Sequence, residues 1–252
     1  MAKTEKEIKV INGVEVTFYP NSHQYKIKGK NIPSVTTITS MIDKSRPLLK
    51  WAENLSREFL MQYLNVPLEQ NTIESAVTQY SIKKDKAADE GTQVHDWISQ
   101  FINSKLNPDK VPMPDLDIES PAVMNGITGF LKWFNQNNIT FLESEKMVYS
   151  KKHNYIGTFD VLMTVNNRLV LGDWKTGKDI RPEFKLQLSA YHQALKEERI
   201  DIVVDEYMIL HFDKESAGFK VVTFKPDKSH FKHFNNLLKL RKFLSDVSNK
   251  IQ

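Results

Sequence analysis

The sequence predicts a mixed α/β fold, in which a central mixed β-sheet is flanked by helices and preceded by a mostly helical N-terminal elaboration. Three observations predict it: an alternating apolar segment near the N-terminus, helical apolar spacing through most of the first half, and a series of strand-like runs in the second half. They divide the chain into a β-meander (1–30), a helical elaboration (31–138) and a mixed α/β core (139–252). We expect these parts to form one compact domain.

Composition excludes several classes of protein. The chain has 252 residues, 40% of them hydrophobic, which is enough for a sizeable buried core. It contains no cysteine, which excludes disulfides, a thiolate nucleophile, cysteine-ligated zinc and a cysteine-held iron–sulfur cluster. The net charge of +4 suits a polyanionic partner, although it is also common among proteins that never bind nucleic acid. No run is apolar enough to cross a bilayer, and no signal or transit peptide is recognisable, so we expect a cytoplasmic protein with no membrane partner.

The N-terminal segment 7–29 is predicted to be a β-meander. Its apolar residues alternate with polar ones around two turn signals, Asn12-Gly13 and the run at 20–22. Directly after it, Pro33-Ser34 is typical of a helix start. Two roles are open for Ser34: it would cap that helix or, with Thr36 and Thr37, contact phosphates at the helix start.

Three longer helices follow in the first half. One is predicted to start at Pro47 and to run to about Tyr63, and a third element at 122–136 follows a Pro- and Asp-rich loop. Between them, a helix from about Lys84 to Asn103 is indicated by one apolar stripe at i, i+3, i+4 spacing. The residues of that stripe are Ala87, Gly91, Val94, His95, Ile98, Phe101 and Ile102.

The second half has the character of a sheet with helices. Strands are predicted at 139–150, 155–165, 168–175, 203–212 and 219–224, with a helix from about Glu183 to Glu198. A long amphipathic helix closes the chain. Its inward residues are predicted to be Phe231, Phe234 and Leu238, together with Leu237 and Phe243.

The most informative segment is a predicted hairpin over residues 155–177. Its two apolar runs flank Asn166-Asn167, and asparagine tolerates the positive φ angles that a two-residue hairpin turn requires. Such a turn determines the register of the two strands. This register pairs Val165 with Arg168, Leu162 with Leu171, Phe159 with Trp174, and Asp160 with Asp173.

This register brings two acids and a lysine together. Lys175 lies two residues beyond Asp173 and therefore on the same face, while Phe159 and Trp174 are expected on the opposite face. Two carboxylates about 5 Å apart repel by roughly 3 kcal/mol at an effective dielectric near 20. A shared proton, the lysine or a bound cation must offset that repulsion. From the residues alone, a metal site and a structural ion cluster are both open.

Several separated motifs of this chain resemble those of the PD-(D/E)XK nuclease superfamily, in particular its RecB-like exonuclease branch, which includes phage and mitochondrial genome-maintenance exonucleases. The resemblance spans roughly residues 20–225. The motifs are the 23–38 segment HQYKIKGKNIPSVTTI, Gly91-Thr92-Gln93-Val94-His95, Gly157-Thr158-Phe159-Asp160, Asp173-Trp174-Lys175 and Gln187-Leu188-Ser189-Ala190-Tyr191.

The resemblance implies a restriction-endonuclease-like core and a metal-dependent DNA nuclease, acting as an exonuclease on single-stranded or end-exposed DNA in replication, recombination or repair. It implies Mg²⁺ or Mn²⁺ as the cofactor. The metal ligands would be His95, Asp160, Asp173 and the backbone carbonyl of Trp174, and Asp160, Asp173 and Lys175 would form the catalytic centre.

The resemblance also implies a helix pair that serves the site. Gln187 and Tyr191, one helical turn apart, would position Lys175 or the DNA strand. Glu145 matches a further acidic position that would bind or orient the substrate, with Glu143 as the nearby alternative.

Two other functions remain open at this point: a structure-specific endonuclease on the same fold, and a non-catalytic nucleic-acid-binding protein. His95 is open to a purely structural interpretation as a core histidine on an apolar stripe. The lysines at 83, 84 and 86 are best interpreted as a solvated face, and Phe231 and Phe234 as packing residues.

Overall fold

The computed structural model describes residues 6–177 and 179–251, and they form two β-sheets with six helices. The strands of the first sheet are β1 (Glu7–Ile11), β2 (Val14–Tyr19), β3 (Gln24–Ile27) and β4 (Lys30–Ile32). Those of the second are β5 (Ile139–Ser150), β6 (Tyr155–Val165), β7 (Arg168–Lys175), β8 (Glu206–Phe212) and β9 (Phe219–Phe224). The helices are α1 (Val35–Thr39), α2 (Ser45–Met61), α3 (Gln70–Leu106), α4 (Pro121–Asn135), α5 (Glu183–Glu198) and α6 (Lys228–Ile251).

The N-terminal sheet is the predicted meander, with each strand antiparallel to the next. Asn12 and Gly13 both have positive φ, as the tight turn between β1 and β2 requires. One face of the meander packs on β5 and β6, where Val16 and Tyr25 join Tyr149 and Ile156 in one apolar cluster. The meander therefore lies directly against the strands that carry the predicted acids.

The start of α1 is pinned to the central sheet. The Ile156 amide donates to the carbonyl of Pro33 at 3.1 Å. Ser34 caps α1 by accepting a hydrogen bond from the Thr37 amide at 3.0 Å, which is one of the two roles that the sequence leaves open.

The third helix is longer than its predicted bounds and begins at Gln70 rather than near Lys84. The extra turns contact α2 where Trp51 packs on Tyr80 and the Ser56 hydroxyl donates to the carbonyl of Ala76. Their apolar side chains Ile73, Val77 and Ile82 nevertheless stay exposed. Without a continuous buried stripe, helical periodicity does not reveal this segment.

The central sheet has the order β5-β6-β7-β8-β9 and is mixed, because β7 and β8 pair in parallel while the other neighbours are antiparallel. The parallel pair is joined by α5, which provides the crossover that such a pairing needs. Helices α3 and α4 cover one face of the sheet, whereas α1, α5 and α6 cover the other. The predicted mixed α/β architecture, with a mixed sheet between helices, is confirmed.

Two smaller predictions need correction. Strand β8 begins at Glu206 rather than at residue 203, because the preceding Asp205 accepts a hydrogen bond from the Leu169 amide through its side chain at 2.8 Å.

In α6, Phe231, Phe234, Leu237 and Leu238 pack on the sheet as predicted. Phe243 is 61% exposed instead, because it lies beyond the part of α6 that contacts α5 and the sheet.

Among the described residues, no helix combines the length and the apolar character that crossing a membrane would demand.

Candidate metal and phosphodiester site

The hairpin between β6 and β7 is built as the sequence predicts. Asn166 and Asn167 both have positive φ, 49° and 67°, which is the backbone of a tight two-residue turn. The ladder runs from Val165 opposite Arg168 to Val161 opposite Gly172. The predicted register is therefore confirmed over these five pairs.

The backbone ladder ends just before the two acids. Asp160 and Asp173 are the next residues in the same register. There the backbone pairing is replaced by a side-chain contact, because the carboxylate of Asp160 accepts a hydrogen bond from the Trp174 amide at 2.6 Å. Asp160 therefore holds the end of β7 by its side chain, at the point where the two strands separate.

The predicted pairing of Phe159 with Trp174 on one face is wrong. Trp174 packs with Phe130 and Trp133 on the α4 side of the sheet, whereas Phe159 is buried on the α5 side. Val161 lies on the α4 side, so regular alternation is interrupted between Phe159 and Val161. The interruption falls at Asp160 and changes the direction in which that carboxylate can lie.

Asp173 and Lys175 lie on the α5 side of β7, on one face as predicted. Asp173 is almost fully buried, and its Oδ2 forms an ion pair with Nζ of Lys175. From α5, Gln187 donates to Oδ1 of Asp173 at 3.4 Å and to the hydroxyl of Tyr191 at 2.9 Å. The Gln187 and Tyr191 pair, one turn apart, thus holds Asp173 and contacts Lys175 only through it.

A second group forms on the other side of Asp160. One ligand atom from each of His95, Glu145 and Asp160 lies within 4.8 Å of the others. Nδ1 of His95 is 3.8 Å from Oδ2 of Asp160. The structure thus brings His95 of α3 and Asp160 of β6 together, and it adds Glu145, which sequence reasoning connects only with substrate contacts.

The position of Glu145 depends on an irregularity in β5. Its φ is +48°, a left-handed conformation that is strained for a residue with a side chain. Such strain often accompanies a functional position. Two residues earlier, Glu143 turns away from this group and pairs with Lys146 and Arg199. Of the two acids that the sequence leaves as alternatives, Glu145 is the one beside His95.

The carboxylates of the site repel one another. Burial raises the pKa of Glu145 to about 8, and the charges of Asp160, Asp96 and Asp173 add to the rise while Lys175 opposes it. By its surface area, however, Glu145 is an exposed residue, so solvent screens much of this repulsion.

In the buried Asp173–Lys175 pair, burial and the neighbouring charges act in opposite directions on each pKa. Burial raises the pKa of Asp173 to about 6, against the opposing charge of Lys175. Burial also disfavours the charged form of Lys175, but the carboxylates of Asp173 and Asp160 outweigh it and hold the pKa of Lys175 above its ordinary value. One ammonium group therefore faces more negative charge than it can neutralise.

A cleft of about 380 Å³ opens over the second group, between α3 and the end of β7. Small residues of α3 form its wall, and at Gly91 an added Cβ would lie 2.9 Å from Oγ1 of Thr176. Asp96, next to His95, also lines this cleft. Sequence reasoning misses Asp96 and Thr176, although the helical spacing of 87, 91 and 95 indicates this face of α3.

The predicted solvated face at the lysines agrees with the structure. Lys84 and Lys86 are exposed and form only long contacts with Asp85 and Glu90, at 3.7 and 3.9 Å. By contrast, Lys214 anchors α3 to the turn after β8, donating to the carbonyl of Ala87 and to Glu90.

Comparison with known proteins gives only distant similarity. No protein family matches the chain, and no curated protein matches it significantly. Among solved structures, it is similar to the crystal structure of LHK-Exo in complex with dAMP, with a TM-score of 0.41, 8% identity and coverage of 87% of this chain and 89% of that chain. It is also similar to an alkaline exonuclease (LHK-Exo) from Laribacter hongkongensis, with a TM-score of 0.40, 9% identity and coverage of 86% and 88%. Similarity at this level assigns no function to the chain.

Proposed function

We propose that this protein is a metal-dependent nuclease that hydrolyses DNA phosphodiester bonds, acting as an exonuclease on single-stranded or end-exposed DNA in replication, recombination or repair. One observation carries the proposal: a group of oxygen and imidazole ligands, His95, Glu145 and Asp160, lies next to a buried Asp173–Lys175 pair, and His95 and Glu145 line a cleft. Cation ligands and an ammonium group side by side are the side chains that phosphodiester hydrolysis requires.

The chemistry of the ligand group fits a hard divalent cation. Carboxylate oxygens are the ligands that Mg²⁺ and Mn²⁺ prefer, and an imidazole is compatible with Mn²⁺. Burial raises the pKa of Glu145, and the negative charges of Asp160, Asp96 and Asp173, which a bound cation would offset, add to the rise. We therefore propose His95, Glu145 and Asp160 as the ligands. The family resemblance adds the carboxylate of Asp173 and the carbonyl of Trp174, the residue whose amide donates to Asp160.

When bound, a divalent cation would supply charge neutralisation at the scissile phosphate and a water of lowered pKa. Asp160 links this group to β7, because its Oδ2 also holds the Trp174 amide. A displacement of Asp160 would therefore disturb both the ligand set and the strand that carries Lys175.

Lys175 acts as a cation. Its ammonium group is paired with Asp173 and lies 4.7 Å from the ring centroid of Phe184, two contacts that favour the charged form. A charged ammonium group stabilises the negative charge that develops on the phosphate in the transition state, and it can donate a proton to the leaving oxygen. Gln187 and Tyr191 are positioning residues, because they hold Asp173 and through it Lys175.

The test is digestion of end-labelled DNA, linear and circular, single- and double-stranded, with EDTA, Mg²⁺ or Mn²⁺. We expect cleavage of linear DNA that depends on the metal and releases nucleotides from the ends, with circular single strands left intact. Cleavage of the circles would instead show an endonuclease, and cleavage that is unaffected by EDTA would contradict the metal site.

Variants connect the activity to the site. Asp160→Asn keeps the shape of the side chain and should abolish cleavage. Glu143→Gln, a matched acid-to-amide change on β5 outside the ligand group, should leave cleavage unchanged. Lys175→Met alone leaves the buried carboxylate of Asp173 without its ion-pair partner, which costs about 3 to 5 kcal/mol of stability and can unfold the protein. The double variant Asp173→Asn/Lys175→Met removes both charges and should fold but not cleave.

If Asp160→Asn and the double variant retain wild-type cleavage while folding normally by circular dichroism, the site is wrongly assigned. The proposal does not survive that result.

A further inference from the structure

A second and larger concave surface lies apart from the cleft of the candidate site. It is a groove of about 820 Å³ with four walls. The walls are residues 22–25 of the meander, residues 31–34 and 37 at β4 and the start of α1, residues 152–154 of the turn between β5 and β6, and one face of α6. Most of its lining side chains are polar or charged. The proposed function assigns no role to it.

The groove is strongly cationic. Its lining contains Lys152, Lys239, Arg241 and Lys242, against a single carboxylate, Asp246. Within residues 6–177 and 179–251, none of these four cations forms an ion pair. The excess of positive charge in one concavity is comparable with the net charge of +4 of the whole chain.

The cationic residues come from different walls of the groove. Lys239 and Lys242 are one helical turn apart on α6, and both are exposed. Lys152 faces them from the turn after β5. Cations on two sides of a concave surface concentrate positive potential inside it, which attracts an extended polyanion.

The groove reaches the strand that carries Asp160. Pro33 and Ser34 line the groove. The Ile156 amide of β6 donates to the carbonyl of Pro33 at 3.1 Å, and Ser34 forms a β-bridge with Ile156. Ile156 is four residues before Asp160, so the inner end of the groove lies against the strand that contributes Asp160 to the ligand group.

We propose that this groove binds the sugar–phosphate backbone of the DNA strand whose phosphodiester bond is cleaved at the candidate site. This inference rests on the proposed function and adds the path of the substrate. A nucleic-acid strand is favoured over an acidic protein because the lining offers unpaired cations and few apolar side chains, whereas protein interfaces are anchored by buried aromatic and apolar groups. Adjacency to the ligand group points to the same occupant.

The test compares two variants with the same change in charge. Lys239→Glu/Lys242→Glu alters the groove. Lys220→Glu/Lys225→Glu alters two exposed lysines outside it, on and just after the edge strand β9. Binding of a fluorescein-labelled single-stranded 20-mer is followed by anisotropy in EDTA over a series of NaCl concentrations.

We expect the groove variant to bind at least about 10-fold more weakly at low salt, and the control variant to stay within about 2-fold of wild type. The slope of log Kd against log salt should fall by about 1.4 in the groove variant, since each phosphate contact to a single strand contributes about 0.7. Lys152→Glu, on the opposite wall, should weaken binding in the same direction and provides a second test that is independent of α6.

The two proposals can fail separately, because binding in EDTA does not depend on cleavage. If the wild type binds DNA through the groove but never cleaves it with Mg²⁺ or Mn²⁺, the proposed function is wrong. If the wild type cleaves DNA, while the groove variants bind and cleave as the control does, the groove assignment is overturned and an acidic protein becomes its better partner.

Discussion

Glu145→Gln is the change that best separates a metal site from a structural ion cluster. The amide keeps the length of the side chain and the strained backbone at φ +48°, so only the negative charge is lost. In the metal-free protein, that charge lies beside Asp160, Asp96 and Asp173. Its removal should therefore stabilise the metal-free fold and weaken its response to metal.

The magnitude follows from the raised pKa. A carboxyl group with a pKa of about 8 in the folded protein and an ordinary value of 4.5 when unfolded destabilises the fold once the pH exceeds 4.5. Because Glu145 is exposed to solvent, screening reduces the effect. We therefore expect Glu145→Gln to raise the free energy of unfolding by about 1 to 2 kcal/mol at neutral pH, less than the full value for a buried group. Since the ionised form of Glu145 is what destabilises the fold, the stability gained by Glu145→Gln should be small at pH 5 and should grow as the pH rises toward 8.

The assay is urea unfolding followed by tryptophan fluorescence, in EDTA and again in 1 mM MnCl₂. The wild type should gain stability from Mn²⁺, and Glu145→Gln should gain much less. Glu143→Gln is the matched control. It loses its contacts with Lys146 and Arg199, so it should be unchanged or slightly less stable, and it should keep the full response to Mn²⁺.

Two results would refute this reasoning. A metal-free Glu145→Gln protein that is less stable than wild type would show that Glu145 is held by favourable contacts. An equal response of the wild type and Glu145→Gln to Mn²⁺ would remove Glu145 from the ligand set.

Two further predictions concern the packing around the site. Gly157→Ala should destabilise the protein by about 1 to 3 kcal/mol in urea unfolding, because its Cβ would lie 2.5 Å from Cε1 of Tyr191. Gly177→Ala is the control. Gly177 has open space around it, so this variant should unfold like wild type. His192 is buried, which lowers its pKa to about 4, so the fold loses stability as the pH falls below the unfolded value of 6.5. Between pH 7 and pH 5, the free energy of unfolding of His192→Asn should therefore fall by about 2 kcal/mol less than that of wild type. An equal fall in both proteins would show that His192 is protonated in the folded state without cost.

Much of the central sheet is predictable because the relevant signals are local. The hairpin turn needs only two adjacent residues that tolerate positive φ, and Asn166 and Asn167 meet that need. Once the turn is known, strand alternation predicts that Asp173 and Lys175 share a face. The family resemblance singles out Gln187 and Tyr191, which are one helical turn apart, and the two side chains are in contact.

The errors arise where regular periodicity breaks. Alternation predicts one face for Phe159 and Trp174, but β6 is irregular at Asp160, and the two rings lie on opposite sides of the sheet. The N-terminal turns of α3 bury little apolar surface, so no stripe marks them in the sequence. At Asp160 a backbone irregularity overrides the local pattern, whereas at the start of α3 there is no apolar pattern to detect.

The amino-acid sequence by itself determined the hairpin, its register and the face shared by Asp173 and Lys175, because each depends on residues close together in the chain. Only the tertiary structure decided which acid joins His95 and Asp160. Glu145 rather than Glu143 does so because β5 carries a left-handed residue there, and because α3 packs across that end of the sheet. Backbone irregularities and the docking of distant elements depend on the whole core, and no local period in the sequence encodes them.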